Sequence, residues 1–213
     1  MVLIVLGAAL GMGVMLGFGI WATVLGVGTA GPMTYSSKVG KLRVRDRVLD
    51  GLDLQGHEDV LDLGCGSGLM VVGAAQRLGR GGSATGVDLW RSRDQAGSNP
   101  EKCLDNAHRV GVADRVSLRD GDMTDLPFPD GSFDLVLACL AVHNIHPRSR
   151  RAAAVREAAR VLRPGGRMAW IDIAGTQSYA RTATEEGLID VRRSGFVAGI
   201  WPPARVVTAA RPS

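Results

Sequence analysis

Cysteine is scarce: among 213 residues there are three, Cys65, Cys103 and Cys139. Their number is odd and no two form a C-x-x-C pair, which argues against a disulfide framework or a cysteine zinc site and suits reduced thiols inside a cell. Aromatic side chains make up 5% of the chain, and no basic stretch is interleaved with them. A nucleic-acid groove built on stacking and phosphate contacts is therefore not expected. The net charge of +4, from 25 basic and 21 acidic residues, is mild. Charge is missing altogether from Met1 to Ser37, and no catalytic triad stands out anywhere.

The uncharged stretch is dominated by Leu, Val, Ile, Met, Ala and Gly as far as Gly31. About 20 such residues cross the hydrocarbon of a bilayer, so residues 1–31 are expected to form a single transmembrane helix, tilted or broken at its glycines. The basic n-region of a secretory signal is lacking. Lys38, Lys41, Arg43, Arg45 and Arg47 follow at once, and basic residues favour the cytoplasmic side. The expectation is a single-pass membrane protein with an outside amino terminus and a catalytic domain in the cytoplasm. Gly7, Gly11, Gly13 and Gly17 are spaced so that they either bring two copies together as a homodimer or simply thin the helix. Residues 32–52 read as a linker and a basic amphipathic helix from Val39 to Leu52, and 53–213 as the folded domain.

Within that domain, Val60-Leu61-Asp62-Leu63-Gly64-Cys65-Gly66-Ser67-Gly68 is the organising stretch. Its first half is apolar and branched, as in a buried strand, and its second half alternates glycine with small residues, so the chain turns sharply. A helix from Leu69 to Leu78 would then point its unpaired amides at a ligand. A dinucleotide fingerprint, G-x-G-x-x-G, needs its third glycine at residue 69 or 71, where Leu69 and Val71 stand. Asp62, two places before the first glycine, suits an amine or hydroxyl better than a pyrophosphate. The odds move from a nicotinamide cofactor to S-adenosylmethionine (SAM).

Three further stretches follow in order: Gly86-Val87-Asp88-Leu89; Gly121-Asp122-Met123-Thr124-Asp125-Leu126-Pro127-Phe128 ahead of Phe133-Asp134-Leu135-Val136; and Leu162-Arg163-Pro164-Gly165-Gly166. With the glycine turn, they resemble the class I SAM-dependent methyltransferases from about Lys41 to the end of the chain. The resemblance implies an α/β fold, a Rossmann-like three-layer sandwich whose seven-stranded, mostly parallel sheet has an antiparallel last strand, with SAM across the carboxyl ends of the first strands.

Alternating strand and helix patterns independently point to a parallel sheet covered on both faces. Strands are expected near Asp59–Leu63, Ala84–Asp88, Val116–Asp120, Phe133–Leu140, Arg167–Ile173, Asp190–Gly195 and Arg205–Thr208. Helices are expected over Leu69–Leu78, Pro100–Val110, Ser149–Leu162 and Ser178–Glu186. Proline and glycines in Leu162–Gly166 end the helix before them and turn the chain into the next strand.

The expected cofactor set is Asp62, Gly64, Cys65, Gly66, Gly68, Asp88, Leu89, Asp122 and Met123. Asp88 ends a strand twenty residues past Gly68, where a carboxylate accepts from both hydroxyls of a ribose. Family likeness implies that Asp122 and Met123 hold the adenine, and that Asp62 either meets the methionine amine or braces the turn. Methyl transfer from a sulfonium asks mainly for alignment and a dry site. Acceptor contacts are sought in Leu140–His146, at a strand's carboxyl end. There His143 is the catalytic candidate, either as a general base or as a residue hydrogen-bonded to the turn, with Asn144 beside it. The family likeness implies a helix over the cofactor pocket at Val39–Leu52, which would make Tyr35 part of a lid; otherwise it is part of the linker. Arg91, in the long loop from Trp90 to Asn99, either attracts an anionic substrate or is solvated. His143 and His146 have no carboxylate or thiol to complete a metal set, so no metal is expected. The chain reads as a membrane-anchored methyltransferase acting on a small molecule or a lipid. The alternatives are a tethered SAM sensor or scaffold and, less favoured, an NAD(P)-dependent oxidoreductase.

Overall fold

A computed structural model describes residues 36–90 and 99–213. The expected membrane segment, Tyr35 and Arg91 lie outside the described residues. Seven strands form one sheet in the order β3-β2-β1-β4-β5-β7-β6. They are β1 Asp59–Leu63, β2 Ser83–Asp88, β3 Val116–Asp120, β4 Phe133–Cys139, β5 Leu162–Asp172, β6 Ile189–Arg193 and β7 Arg205–Ala210. Only β7 runs against its neighbours, pairing antiparallel with β5 and β6.

The helices are α1 Lys41–Asp50, α2 Leu69–Ala75, α3 Pro100–Arg109, α4 Arg151–Val161 and α5 Thr176–Glu185. One core packs α1, α2 and α3 on one face of the sheet through residues such as Leu49, Met70, Val71, Cys103 and Ala107. The other packs α4 and α5 on the opposite face through Val155, Ala158, Tyr179 and Ala183. Covering both faces explains why β1 is buried from Val60 to Leu63, with no polar alternation except Asp62. Helix α3 is capped as its sequence suggests: the Asn99 side chain accepts from the Lys102 amide at 2.8 Å, Pro100 occupies the first turn, and His108 and Arg109 close the last.

The sheet order makes a switch point between β1 and β4, where the connections leave in opposite directions and open a crevice at the carboxyl edge. The turns after β1 and β4 meet there. A Cβ added to Gly64 would lie 2.5 Å from the Ala141 Cβ, and Gly64 has a φ of +68°, so the close approach and the backbone angle both require glycine. Gly68, at φ +92°, caps α2, and a Cβ there would meet Cys103 Sγ at 2.7 Å and Val72 Cγ2 at 2.8 Å. We expect Gly68→Ala to lower the thermal midpoint of the domain, and a midpoint matching wild type in a melting curve would contradict this packing.

Several expected boundaries move. Helix α2 ends at Ala75, not Leu78, and the amphipathic helix starts at Lys41 after a π turn over Ser36–Gly40. Arg148–Arg150 is a 3-10 turn leading into α4. The larger correction concerns Leu162–Gly166, read above as a turn between helix and strand: it belongs to β5, with Leu162 opposite Phe133 and a register shift before Leu135. Gly165, at φ +77°, lets the strand bend without leaving the sheet. Arg163 reaches Asp134 at 2.6 Å and Asp59 at 2.9 Å, tying the amino ends of β4 and β1 together.

Candidate functional site

Strand β1 delivers the chain into the glycine turn, and β2 holds it there: Gly64 N and Cys65 N donate to Val87 O at 2.8 and 3.2 Å. Gly64, Gly66 and Gly68 all have positive φ. Asp62 is 1% exposed. Its Oδ2 accepts from the Val71 amide at 2.9 Å, bracing the first turn of α2. Its Oδ1 has no hydrogen-bond partner. Burial first, and then the nearby Asp88 charge, outweigh the Val71 bond and push this carboxyl up to about 7. A buried, half-satisfied carboxylate invites a cationic donor.

At the end of β2, Asp88 accepts from Gly66 N at 2.9 Å through Oδ2 and from Trp90 N at 2.8 Å through Oδ1. Each oxygen retains a second lone pair, which two ribose hydroxyls can use. Beside it Leu89 is 40% exposed, an apolar surface suited to the face of a base. Trp90 donates from Nε1 to Asp120 at 2.6 Å. Asp88→Ala is expected to weaken SAM binding by about 1.5–3 kcal/mol, the range for hydrogen bonds to a charged group; calorimetry showing unchanged affinity removes Asp88 from the site.

Asp122 is more committed than the sequence suggests. Oδ1 accepts from both the amide and the hydroxyl of Thr124, at 2.9 and 2.8 Å, and Oδ2 lies 3.4 Å from the Arg150 guanidinium. Partial burial opposes ionisation, but the Thr124 bonds and the Arg150 charge win, and the carboxyl sits below its ordinary value. The carboxylate stabilises its own turn, leaving Oδ2 as the oxygen with room for an exocyclic amine. Met123 leans towards the glycine turn, its Cε 3.1 Å from a Cβ placed on Gly64.

On the other side of the switch point, β4 ends in Leu140, whose left-handed φ of +54° is unusual for such a residue. Its amide is held by Ile171 O at 2.8 Å. The chain then enters a 3-10 turn over Val142–Asn144. His143 meets a residue not identified from the sequence, Asp172, at the end of β5. Nδ1 and Asp172 Oδ1 are 2.7 Å apart, the separation of an ion pair. By direction, however, Nδ1 has no regular hydrogen bond. The two groups are therefore in close contact without an aligned N–H···O bond.

Asp172, 2% exposed, also accepts from the backbone amides of His143 and Ile173 at 3.0 and 2.7 Å, and from the Tyr179 hydroxyl at 3.3 Å. Burial and the Asp172 charge raise the Tyr179 pKa, so that ring stays a neutral donor. Arg151 clamps the turn from below, donating to the carbonyls of His143 and Ile145. With Nδ1 facing Asp172, Nε2 is left for an acceptor. Asn144 shares the turn, its amide donating to Ala141 O at 3.0 Å.

A cavity of about 520 Å³ adjoins the glycine turn. Asp62, Gly64, Cys65, Gly68 and Leu140 line it, as do Lys41 and Arg45 from α1, and Asn106 and Arg109 from α3. Lys41 and Arg45 were read from the sequence only as part of a basic helix. They line the same cavity as Asp62, so their cations suit the carboxylate of an amino-acid group whose ammonium could pair with Asp62. Arg45 shares its charge with Asp46 at 2.7 Å. The Cys65 thiol shares a hydrogen bond with Cys103 and is pushed upward by that bond and by burial, so it stays protonated and acts as a wall. Among the described residues no cluster of three or more His, Cys, Asp or Glu could hold a metal.

The unsatisfied Asp62 oxygen, the bare turn and the spare lone pairs of Asp88 therefore fit SAM in three separate respects. The comparisons agree. A family profile described as a methyltransferase domain matches residues 61–170. The chain belongs to this family, and the class so defined is the SAM-dependent methyltransferases. Among relatives, it is 35% identical over 151 residues to the 27-O-demethylrifamycin SV methyltransferase of Amycolatopsis mediterranei (strain S699), covering 68% of this chain and 52% of the relative. A demethylmenaquinone methyltransferase of Lactiplantibacillus plantarum is 33% identical over 130 residues, covering 60% and 50%. The chain thus spans about half the length of these curated relatives. A geranyl diphosphate methyltransferase structure in complex with SAM shares the fold, with a TM-score of 0.61 at 20% identity over 80% of this chain and 85% of that one.

Proposed function

We propose that this chain is a membrane-tethered methyltransferase that moves the SAM methyl group onto a hydroxyl or amine of a small molecule or lipid, with His143 as general base. The observation that carries the reading is the 2.7 Å approach of His143 Nδ1 to the buried Asp172. SAM supplies a methyl carbon activated by a sulfonium. As the acceptor oxygen or nitrogen bonds to that carbon, the carbon–sulfur bond breaks and its electron pair stays on sulfur, leaving S-adenosylhomocysteine. The acceptor proton passes to His143 Nε2. Asp172 holds the imidazole in the tautomer that can accept there and balances the charge that develops. Asp62, Asp88 and the glycine turn align the donor, which is where most of the rate for such a displacement arises.

Relatives named for methylating rifamycin and menaquinone precursors support an organic small-molecule acceptor. Tethering is supported by the uncharged run to Ser37 and the basic residues after it. Among the described residues no helix is long and apolar enough to cross a membrane. The enzyme reading is tested by incubating the full chain with SAM and a cell extract: S-adenosylhomocysteine should be released, and SAM binding without release would favour a sensor. Carbonate washing tests the tether, and recovery of the full chain in the soluble fraction removes it from the account.

A further inference from the structure

The loop between β6 and β7 carries an exposed aromatic pair that the reaction does not use. Phe196 is 67% exposed, more than any other large apolar side chain among the described residues, and Trp201 is 45% exposed. These side chains stand on a fixed loop. Ile200 between them is 5% exposed, Val197 bridges to Ala204, and the Arg205 guanidinium lies 3.9 Å over the Phe196 ring. The loop is also fastened to the point where the described chain begins: Trp201 N donates to Ser36 Oγ at 2.8 Å, and Gly199 packs so closely on Gly40 that a Cβ on Gly40 would lie 1.7 Å from Gly199 O.

We propose that this loop is a lipid-contacting face, with Phe196 and Trp201 entering the headgroup region of an anionic bilayer beside the tether. The inference rests on the reading of residues 1–31 as membrane-spanning, because only residues 32–35 separate that apolar run from Ser36. Charge agrees: residues 191–206 contain no acidic side chain, and Arg192, Arg193 and Arg205 flank the loop, a sign that suits anionic headgroups. Tryptophan and phenylalanine on a rigid support fit the interface, where an amphipathic or apolar ring is satisfied at the boundary. The face has a functional consequence. Leu42, 42% exposed and two residues beyond Gly40, also lines the cavity at the glycine turn. A membrane-dissolved acceptor could therefore reach the site without crossing water.

The test uses the full chain in vesicles of phosphatidylcholine and phosphatidylglycerol, plain or with acyl chains brominated near the headgroup, in a Trp21→Phe background that leaves Trp90, Trp170 and Trp201. Brominated lipid should quench emission, Trp201→Phe should abolish that quenching, and Phe196→Ser should reduce it. Equal quenching with and without Trp201, in a chain that resists carbonate, overturns the lipid face while the tether stands. A chain that carbonate releases overturns the tether. Added back to the vesicles, that released chain supports the face if Trp201 is still quenched and overturns it if not. Trp201 shielded from acrylamide but untouched by brominated lipid marks a second copy as the occupant and also overturns the proposal.

Discussion

His143→Ala is expected to lower turnover by about 10²–10⁴-fold, the usual share of a positioned general base, while SAM affinity stays near wild type. The separation follows from the site: His143 is not part of the cavity beside the glycine turn, and it is oriented from the β5 side by Asp172. Asp172→Asn should cost nearly as much. An amide at this position can donate to Nδ1, which places the ring proton on Nε2 and removes the lone pair that takes the acceptor proton. Because the two side chains act as one unit, the double variant should be little worse than either single one. The measurements are single-turnover rates and SAM calorimetry on the three variants, with far-ultraviolet dichroism to confirm folding. Turnover of His143→Ala within about twofold of wild type would leave alignment alone to account for the rate.

Asp62 carries the second large effect. Its pKa rises from an ordinary 3.8 to about 7, chiefly through burial. The folded protein then binds a proton that the unfolded chain releases between those values, so stability falls as pH rises from about 4 to about 7 and is level above that window. The full amplitude corresponds to about 4 kcal/mol. Other groups titrate over the same range, so the informative quantity is wild type minus Asp62→Asn, measured by denaturant unfolding of the domain within the detergent-solubilised full chain. That difference should shrink progressively across the window, and a flat difference would contradict the assignment.

SAM binding reads the same carboxylate from the other side. An arriving ammonium favours the ionised form, so binding near pH 6 should release about one proton. Titrations in two buffers of unlike ionisation enthalpy detect it, and Asp62→Asn should abolish it. Retention of the proton release in that variant would place its source elsewhere.

Local structure was legible in the sequence and long-range contacts were not. The β1 strand, its glycine turn and Asp88 lie within one β-α-β unit, where composition, spacing and turn propensity act over a few residues. Six strands pointing one way with the last reversed came from the family likeness, and the sheet has that form. Asp172 was not picked out. It stands 29 residues beyond His143, and only the lateral pairing of β4 with β5 brings the two strand ends together. Position at the carboxyl end of an adjacent strand was the signal that could have found it. Lys41 and Arg45 were missed for a related reason: helical spacing shows a basic face but not what it faces. Leu162–Gly166 was misread because proline and glycine usually break a strand, whereas here a bulge accommodates both.

The contact between Gly64 and Ala141 bears on how this scaffold can be re-engineered. In the proposed reading, donor and acceptor recognition sit on two rims, the turns after β1 and β4, which touch where a carbon added to Gly64 has no room. An acceptor segment transplanted from another member of the family should be accepted only if it brings a small side chain to position 141. A bulkier graft would push on the donor rim, and its penalty would first register as poorer SAM affinity, in a variant whose changes were all made on the opposite bank.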